Sequence, residues 1–197
     1  IVTGRRLKVQ SLVAGILFSA LTLIAWTQLW FTVSVNETTT STLAIAVTGD
    51  LAAPALSAFS LAGLALVAAL TISGTVLRIV LGILQFAIGA GVVASTAAAL
   101  ANPVAASASA VTKVTGVSGS RSVAALVETS SQTAWPWLAL IFGALTAAVG
   151  IVIAITGRRW PGSSRRYQAI ADTDQENSSN PVSDWDRLSG GSDPTSR

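Results

Sequence analysis

Residues 11–33, SLVAGILFSALTLIAWTQLWFTV, contain no charged side chain. A helix rises about 1.5 Å per residue, so about 20 apolar residues cross the hydrocarbon core of a bilayer. Because lipid offers the backbone no hydrogen bonds, a segment of this composition is stable there only as a helix. We therefore predict a first transmembrane span over about residues 11–33.

Three further stretches have the same apolar character, and they predict spans over about residues 52–72, 76–100 and 135–157. Composition agrees, because 51% of the 197 residues are hydrophobic and only 11% are charged, against about 25% charged in soluble domains. The predicted fold class is an all-α membrane protein, a four-transmembrane-helix bundle. Its predicted parts are a membrane domain (1–157), outer loops (34–51 and 101–134) and a cytoplasmic tail (158–197).

The start of the first span also has features of a secretory signal peptide, because Arg5, Arg6 and Lys8 precede the apolar run. The run is longer than the apolar region of a usual signal, however, and it ends in aromatic residues instead of a small-residue cleavage site. We interpret it as a retained helix. The chain contains no Met, so Ile1 is not expected to be the translational start.

The distribution of cationic residues predicts the orientation. One side of a four-span topology carries most of them near the spans: Arg5, Arg6, Lys8, Arg78, Arg158 and Arg159. The other side carries Lys113 and Arg121. Since Lys and Arg concentrate in short cytoplasmic segments, we predict a multi-pass plasma-membrane protein with both termini in the cytoplasm.

Side chains typical of the headgroup region stand at the ends of the spans. We predict membrane-interface anchors at seven positions: Trp26, Trp30, Trp135, Trp137, Arg158, Arg159 and Trp160.

The first outer loop changes to a period of two. Large apolar residues alternate with small or polar ones in two stretches: Phe31, Val33 and Val35, then Leu43, Ile45 and Val47. This pattern predicts a small extracytoplasmic two-stranded β ribbon. An isolated hairpin is marginally stable in water, so its apolar face should rest on the helix ends or on a partner. The candidate partner contacts are Phe31, Val33, Leu43 and Ile45.

The second outer loop is rich in Ala, Ser and Thr. Residues 103–114 are compatible with a short helix, and residues 115–120 with a flexible break.

Ionisable residues inside a membrane usually mark transport pathways, and the middle of each predicted span lacks them. Arg78 lies near one end of its span and is expected to extend toward the headgroups. Gln85 is the one strongly polar side chain in the middle of a span. We expect it to make an interhelical hydrogen bond.

The tail beyond residue 167 is rich in Ser, Asp, Asn, Gly and Pro, a composition that predicts disorder. Trp185 and Leu188 are three residues apart and would share one side of a helical turn. They are two further candidate partner contacts, although Trp185 is equally compatible with the membrane interface.

Several kinds of chemistry are disfavoured. Without His or Cys, the chain lacks the commonest general base and metal ligand and all thiolate ligands. We therefore predict no catalytic site, no cofactor and no metal. The cationic residues flank apolar segments instead of forming a basic patch, so nucleic acid is not an expected partner.

A series of short motifs resembles a known family: the run from Trp26 to Phe31, Thr48-Gly49-Asp50-Leu51 before Pro54, Trp135-Pro136-Trp137, Gly157-Arg158-Arg159-Trp160-Pro161, Arg166-Tyr167, and Asp184-Trp185-Asp186-Arg187-Leu188 before Asp193-Pro194-Thr195. The chain resembles the actinobacterial tryptophan-biosynthesis-associated membrane proteins, a family name that reflects gene neighbourhood. The resemblance spans nearly the whole chain. It implies an actinobacterial plasma membrane and brings no catalytic residues with it.

Three functions fit the sequence. The leading hypothesis is a non-catalytic accessory or scaffold subunit that docks onto a membrane-protein partner, with the lipid bilayer around it. The alternative is a small oligomeric transporter or exporter of tryptophan, an aromatic metabolite or a lipid. An enzyme with a catalytic carboxylate pair among Glu37, Asp50 and Glu128 is the least favoured, because acids in outer loops are usually solvated and Asp50 follows Gly49 in a predicted turn.

Overall fold

The computed structural model describes residues 4–38 and 41–160. Within these residues, four helices are long and apolar enough to cross a membrane: α1 (Gly4–Thr27), α3 (Ala55–Ile72), α4 (Thr75–Ala101) and α8 (Trp135–Thr156). They confirm the predicted fold class, a multi-pass helical membrane protein.

The four long helices form a ring. Helix α1 packs against α3 and α8, and α4 packs against the same two neighbours, so α1 and α4 lie on opposite sides of the bundle. Chain direction alternates through the ring, which gives the bundle two distinct ends. We call them the turn end, where Ser73 and Gly74 join α3 to α4, and the sheet end, which carries the outer loops.

Helix α1 is displaced from its predicted span, since it begins at Gly4 and ends at Thr27 instead of near residue 33. The chain turns at Gln28, whose N–H donates to Ala25 O at 3.2 Å, and continues as a strand from Leu29. The apolar end of the predicted span is therefore satisfied by sheet hydrogen bonds. Hydropathy alone does not separate a helix from an apolar strand that directly follows it.

The sheet has three strands, not the two predicted: β1 (Leu29–Thr38), β2 (Ser41–Thr48) and β3 (Val127–Gln132). Their order is β2-β1-β3, and both pairings are antiparallel. The first two strands are the predicted ribbon. The third comes from the second outer loop and occupies the edge of β1 that β2 leaves free.

Four short helices complete the sheet end: α2 (Gly49–Ala52), α5 (Pro103–Ala106), α6 (Ala108–Thr115) and α7 (Ser120–Leu126). The predicted helix over 103–114 is divided between α5 and α6. Asn102 caps α5 by accepting from Ala105 N at 3.0 Å, with Pro103 at the first helical position. Gly116, with φ of 71°, ends α6 in the left-handed region that favours glycine.

The main apolar core lies at the sheet end and joins the outer loops to the bundle. One face of the sheet packs with Ala110 and Val111 of α6, Val123 of α7, and Val92 and Ala139 of the long helices. The outer loops therefore form a packed unit over the end of the bundle.

Candidate functional site

The ribbon residues predicted to contact a partner lie inside this core. Phe31 and Val33 are 0% exposed, Ile45 is buried and Leu43 is partly buried. Their apolar face rests on the protein's own helices, which is one of the two arrangements expected from the sequence. A partner that reached this unit would therefore meet other residues.

The free edge of β3 is a surface that such a partner could meet. Thr133 N donates to Trp30 O at 2.9 Å, and hydrogen-bonding direction alternates along an antiparallel strand. The N–H of Ser131 therefore faces β1, whereas the N–H groups of Ser130 and Gln132 face away from it. The side chains of Ser130 and Gln132 are exposed. Within the described residues, no strand pairs with this edge.

Two of the tryptophans predicted as interface anchors are packed around a tight turn instead. Trp30 is 0% exposed, and its indole N–H donates to Ala25 O at 2.8 Å. Trp26 is partly buried. A Cβ at Gly49 would lie 2.5 Å from Trp26 O and 2.7 Å from Trp30 Nε1, so only glycine fits this position. The hydroxyl of Thr48 donates to the Asp50 carboxylate beside it.

The other predicted anchors occupy different environments. Trp135 is half-buried, Trp137 is 51% exposed, and Trp160 is only 3% exposed. Arg158 is exposed, and Arg159 lies in a short 3₁₀ turn (Gly157–Arg159) after α8. Trp185 and Leu188, the predicted contacts of the tail, lie outside the described residues.

The interior of the bundle contains buried polar side chains beside its buried apolar ones. All four long helices contribute such polar side chains, which include Ser19, Thr22, Ser60, Gln85, Thr96 and Thr146. Gln85 is 0% exposed, and in the part of the chain that the structure describes neither its amide nitrogen nor its amide oxygen has a hydrogen-bond partner. The expected interhelical hydrogen bond of Gln85 is therefore not formed.

Ser19 and Gln85 converge on Gly63 of α3. A Cβ at Gly63 would lie 2.6 Å from Ser19 Oγ and 3.6 Å from Gln85 Nε2. The hydroxyls of Ser19 and Ser60 are buried without partners as well. Sequence reasoning identified Gln85 but missed both serines, whose signal is helical spacing on a face of small residues. We call Ser19, Ser60 and Gln85 the interior polar cluster.

Helices α4 and α8 approach each other through glycines on both sides. A Cβ at Gly82 would lie 2.7 Å from Ala154 N. A Cβ at Gly89 would overlap the backbone of Ala147, and one at Gly150 would overlap the backbone of Phe86. Such backbone contact is typical of tight helix pairs in membranes. Helices α4 and α8 are therefore so close together that none of these glycines could carry a side chain.

Arg78 joins the helices at the turn end. Its guanidinium donates to Ser73 O at 2.9 Å and to Gly157 O at 3.2 Å, and it stacks on the ring of Trp160, with 5.2 Å between Arg78 Cζ and the ring centroid. The two carbonyls end α3 and α8, where the helix dipole is negative. Arg78 is only 2% exposed, so its side chain is packed between the ends of the helices instead of extending freely into the headgroup layer. We call Arg78 and Trp160 the turn-end pair.

Comparison with known families assigns the chain. The model of the tryptophan-associated transmembrane proteins matches residues 12–195, which is nearly the whole chain. The chain belongs to this family. A search of the curated proteins gives no match.

The structure brings several motifs of this tryptophan-associated transmembrane protein together. The run from Trp26 to Phe31 and the turn at Gly49 pack against each other at the sheet end. The start of α8 is tied to the same place, because Thr133 Oγ1 donates to Leu29 O at 2.6 Å two residues before Trp135. The motif around Trp160 closes the turn end on Arg78.

Proposed function

We propose that this tryptophan-associated transmembrane protein is a non-catalytic accessory subunit of a membrane complex, with both termini in the cytoplasm. The long helices anchor it, and the open edge of β3 binds an extended segment of a membrane-protein partner outside the bilayer. The observation that carries this proposal is the unpaired, uncharged edge at Ser130 and Gln132.

Edge strands are common docking sites, because their free N–H and C=O groups pair with an added strand. Proteins often protect such edges with charged residues, especially Lys, or with Pro. The one charged residue of β3, Glu128, lies near its start, and the stretch from Thr129 to Gln132 contains neither a charged residue nor Pro. Its surroundings also support docking, since Thr133 fixes the end of β3 to β1 through both its N–H and its hydroxyl. A rigid edge loses little conformational freedom when a strand is added.

The test is Ser130→Pro. Proline removes the N–H that faces the open edge, and edge positions of this kind tolerate it because the ladder to β1 does not use that group. The tagged protein is purified in mild detergent and its membrane partners are quantified by mass spectrometry. We expect partner recovery to fall at least about fivefold for Ser130→Pro if strand addition supplies the main contact.

Ser130→Ala is the matched control, because it keeps the N–H and should retain partner recovery. The thermal stability of both variants shows whether the sheet remains folded. Equal recovery with Ser130→Pro and Ser130→Ala would exclude docking at this edge.

The interior polar cluster favours a second candidate function, transport of a small polar molecule without net charge. Buried polar atoms without partners are costly inside a membrane, and a ligand that hydrogen-bonds Gln85 would remove that cost. Because the family is described as tryptophan-associated, tryptophan and related aromatic compounds are the first candidates to test.

The corresponding experiment measures efflux of tryptophan and indole from cells that express the wild type or Gln85→Leu, beside a deletion strain. Faster efflux with the wild type than with Gln85→Leu supports transport. Equal rates in all three strains would eliminate it for these compounds.

A further inference from the structure

The turn-end pair contains two buried N–H groups that have no acceptor among the described residues. Two nitrogens of the Arg78 guanidinium donate to backbone carbonyls, but Nε has no partner. The indole Nε1 of Trp160 has none either. Buried indole N–H groups usually find an acceptor, and buried polar groups without any partner are rare in native structures.

Charge at the turn end favours an anionic acceptor. Up to residue 160 the sequence has three acidic residues, Glu37, Asp50 and Glu128, and all three belong to the outer loops at the sheet end. The turn end, in contrast, carries cations: Arg6 and Lys8 on α1, Arg158 after α8, and Arg78 itself. Lys8 Nζ donates to Thr71 O at 3.5 Å, which places it at the same end of α3 as Ser73.

The location defines the chemistry of the acceptor. Arg78 lies one turn after the start of α4, and Trp160 lies shortly after the end of α8. At these positions spanning helices emerge into the headgroup layer. Phosphate oxygens are abundant at that depth, and arginine is well suited to bind them. Basic residues beside a span also attract anionic lipids.

We propose that the turn-end pair is a binding site for the phosphate of an anionic phospholipid. The phosphate oxygens accept hydrogen bonds from Trp160 Nε1 and Arg78 Nε, once the side chains around these buried groups open to admit the phosphate. Lys8 and Arg6 add attraction for the headgroup's negative charge. The bound lipid would complete the contact that already joins α3, α4 and α8 through Arg78.

The experiment compares Trp160→Phe with the wild type. Phenylalanine keeps an aromatic ring beneath the guanidinium and removes only the indole N–H. The purified full chain in neutral detergent is titrated with phosphatidylglycerol, phosphatidylcholine or inorganic phosphate, and its melting temperature is followed. Trp137→Phe is the control, because Trp137 is exposed at the sheet end.

Phosphatidylglycerol should raise the melting temperature of the wild type and of Trp137→Phe, whereas phosphatidylcholine and inorganic phosphate should not. Trp160→Phe should bind phosphatidylglycerol about tenfold more weakly, which is the effect of losing one charge-assisted hydrogen bond. An equal rise in the melting temperature of the wild type with phosphatidylglycerol and with phosphatidylcholine would by itself overturn the proposal. So would unchanged affinity in Trp160→Phe, or an equal response to inorganic phosphate, which would indicate a free-anion site.

Discussion

At the scale of single residues, Gln85 combines complete burial with two unpartnered amide atoms. Each unsatisfied buried polar group costs about 1–3 kcal/mol, and replacing it with an apolar group of similar shape relieves that cost. We therefore expect Gln85→Leu to increase the free energy of unfolding by about 1 kcal/mol or more. Thermal denaturation in detergent measures this.

Gln132→Leu is the matched control, since Gln132 is exposed on β3. The free energy of unfolding of this variant should differ little from that of the wild type. A lower stability of Gln85→Leu would contradict the prediction, because it would show that the amide is hydrogen-bonded in the bundle. Read with the efflux experiment, a variant that is more stable and less active would assign Gln85 to ligand binding.

The sequence predicts individual polar residues better than it predicts their contacts. Gln85 stands out because no other strongly polar side chain lies in the middle of a span. Ser19 and Ser60 do not stand out in the sequence. Serine in a membrane helix often bonds a carbonyl of its own helix, so a serine there does not indicate a contact with another helix. Arg78 was expected to reach the headgroups. Its direction instead depends on carbonyls at the ends of two neighbouring helices, which a linear pattern does not show.

At the scale of helices, α4 and α8 illustrate how glycine fixes a separation. A Cβ at Gly89 would overlap backbone atoms, which cannot move aside as a flexible side chain can. We expect Gly89→Ala to lower the free energy of unfolding by about 3 kcal/mol or to prevent folding, as overpacking of a close contact does. Thermal denaturation and the yield of monodisperse protein are the measurements.

Gly74→Ala provides the comparison, because nothing lies within 4 Å of a Cβ built there. Its stability should fall by no more than about 1 kcal/mol, because Gly74 is the N-cap of α4 and Ala is less favoured than Gly there. Equal stability of Gly89→Ala and Gly74→Ala would show that the two helices are not in backbone contact.

Elements were predictable where one segment contained the whole signal. The four spans follow from apolar length, and β1 and β2 follow from alternation within a single loop. Strand β3 has no such pattern, since Glu128 to Gln132 is continuously polar. It is a strand because β1 offers it a free edge, and that edge is a property of the folded sheet. The core under the sheet depends likewise on α6 and α7, which close over it from a distant part of the chain.

At the scale of the whole molecule, the two ends differ in charge and in structure. The turn end carries basic residues and no acidic residue up to position 160, whereas the sheet end carries the three acids of that part of the chain. Since basic segments are retained in the cytoplasm, we infer that the sheet end lies outside the cell. In this orientation the partner segment that pairs with β3 lies outside the cell, and the lipid site at the turn-end pair lies in the inner leaflet.

The absence of cysteine allows a direct test of orientation. Ser118→Cys places a thiol in an exposed sheet-end loop, and Gly74→Cys places one in the exposed link at the turn end. A membrane-impermeable maleimide should label Ser118→Cys in intact cells and Gly74→Cys only after lysis. The parent chain, which has no thiol, is the blank. If only Gly74→Cys were labelled in intact cells, the orientation would be the opposite of the one inferred. The partner segment that pairs with β3 would then have to be cytoplasmic.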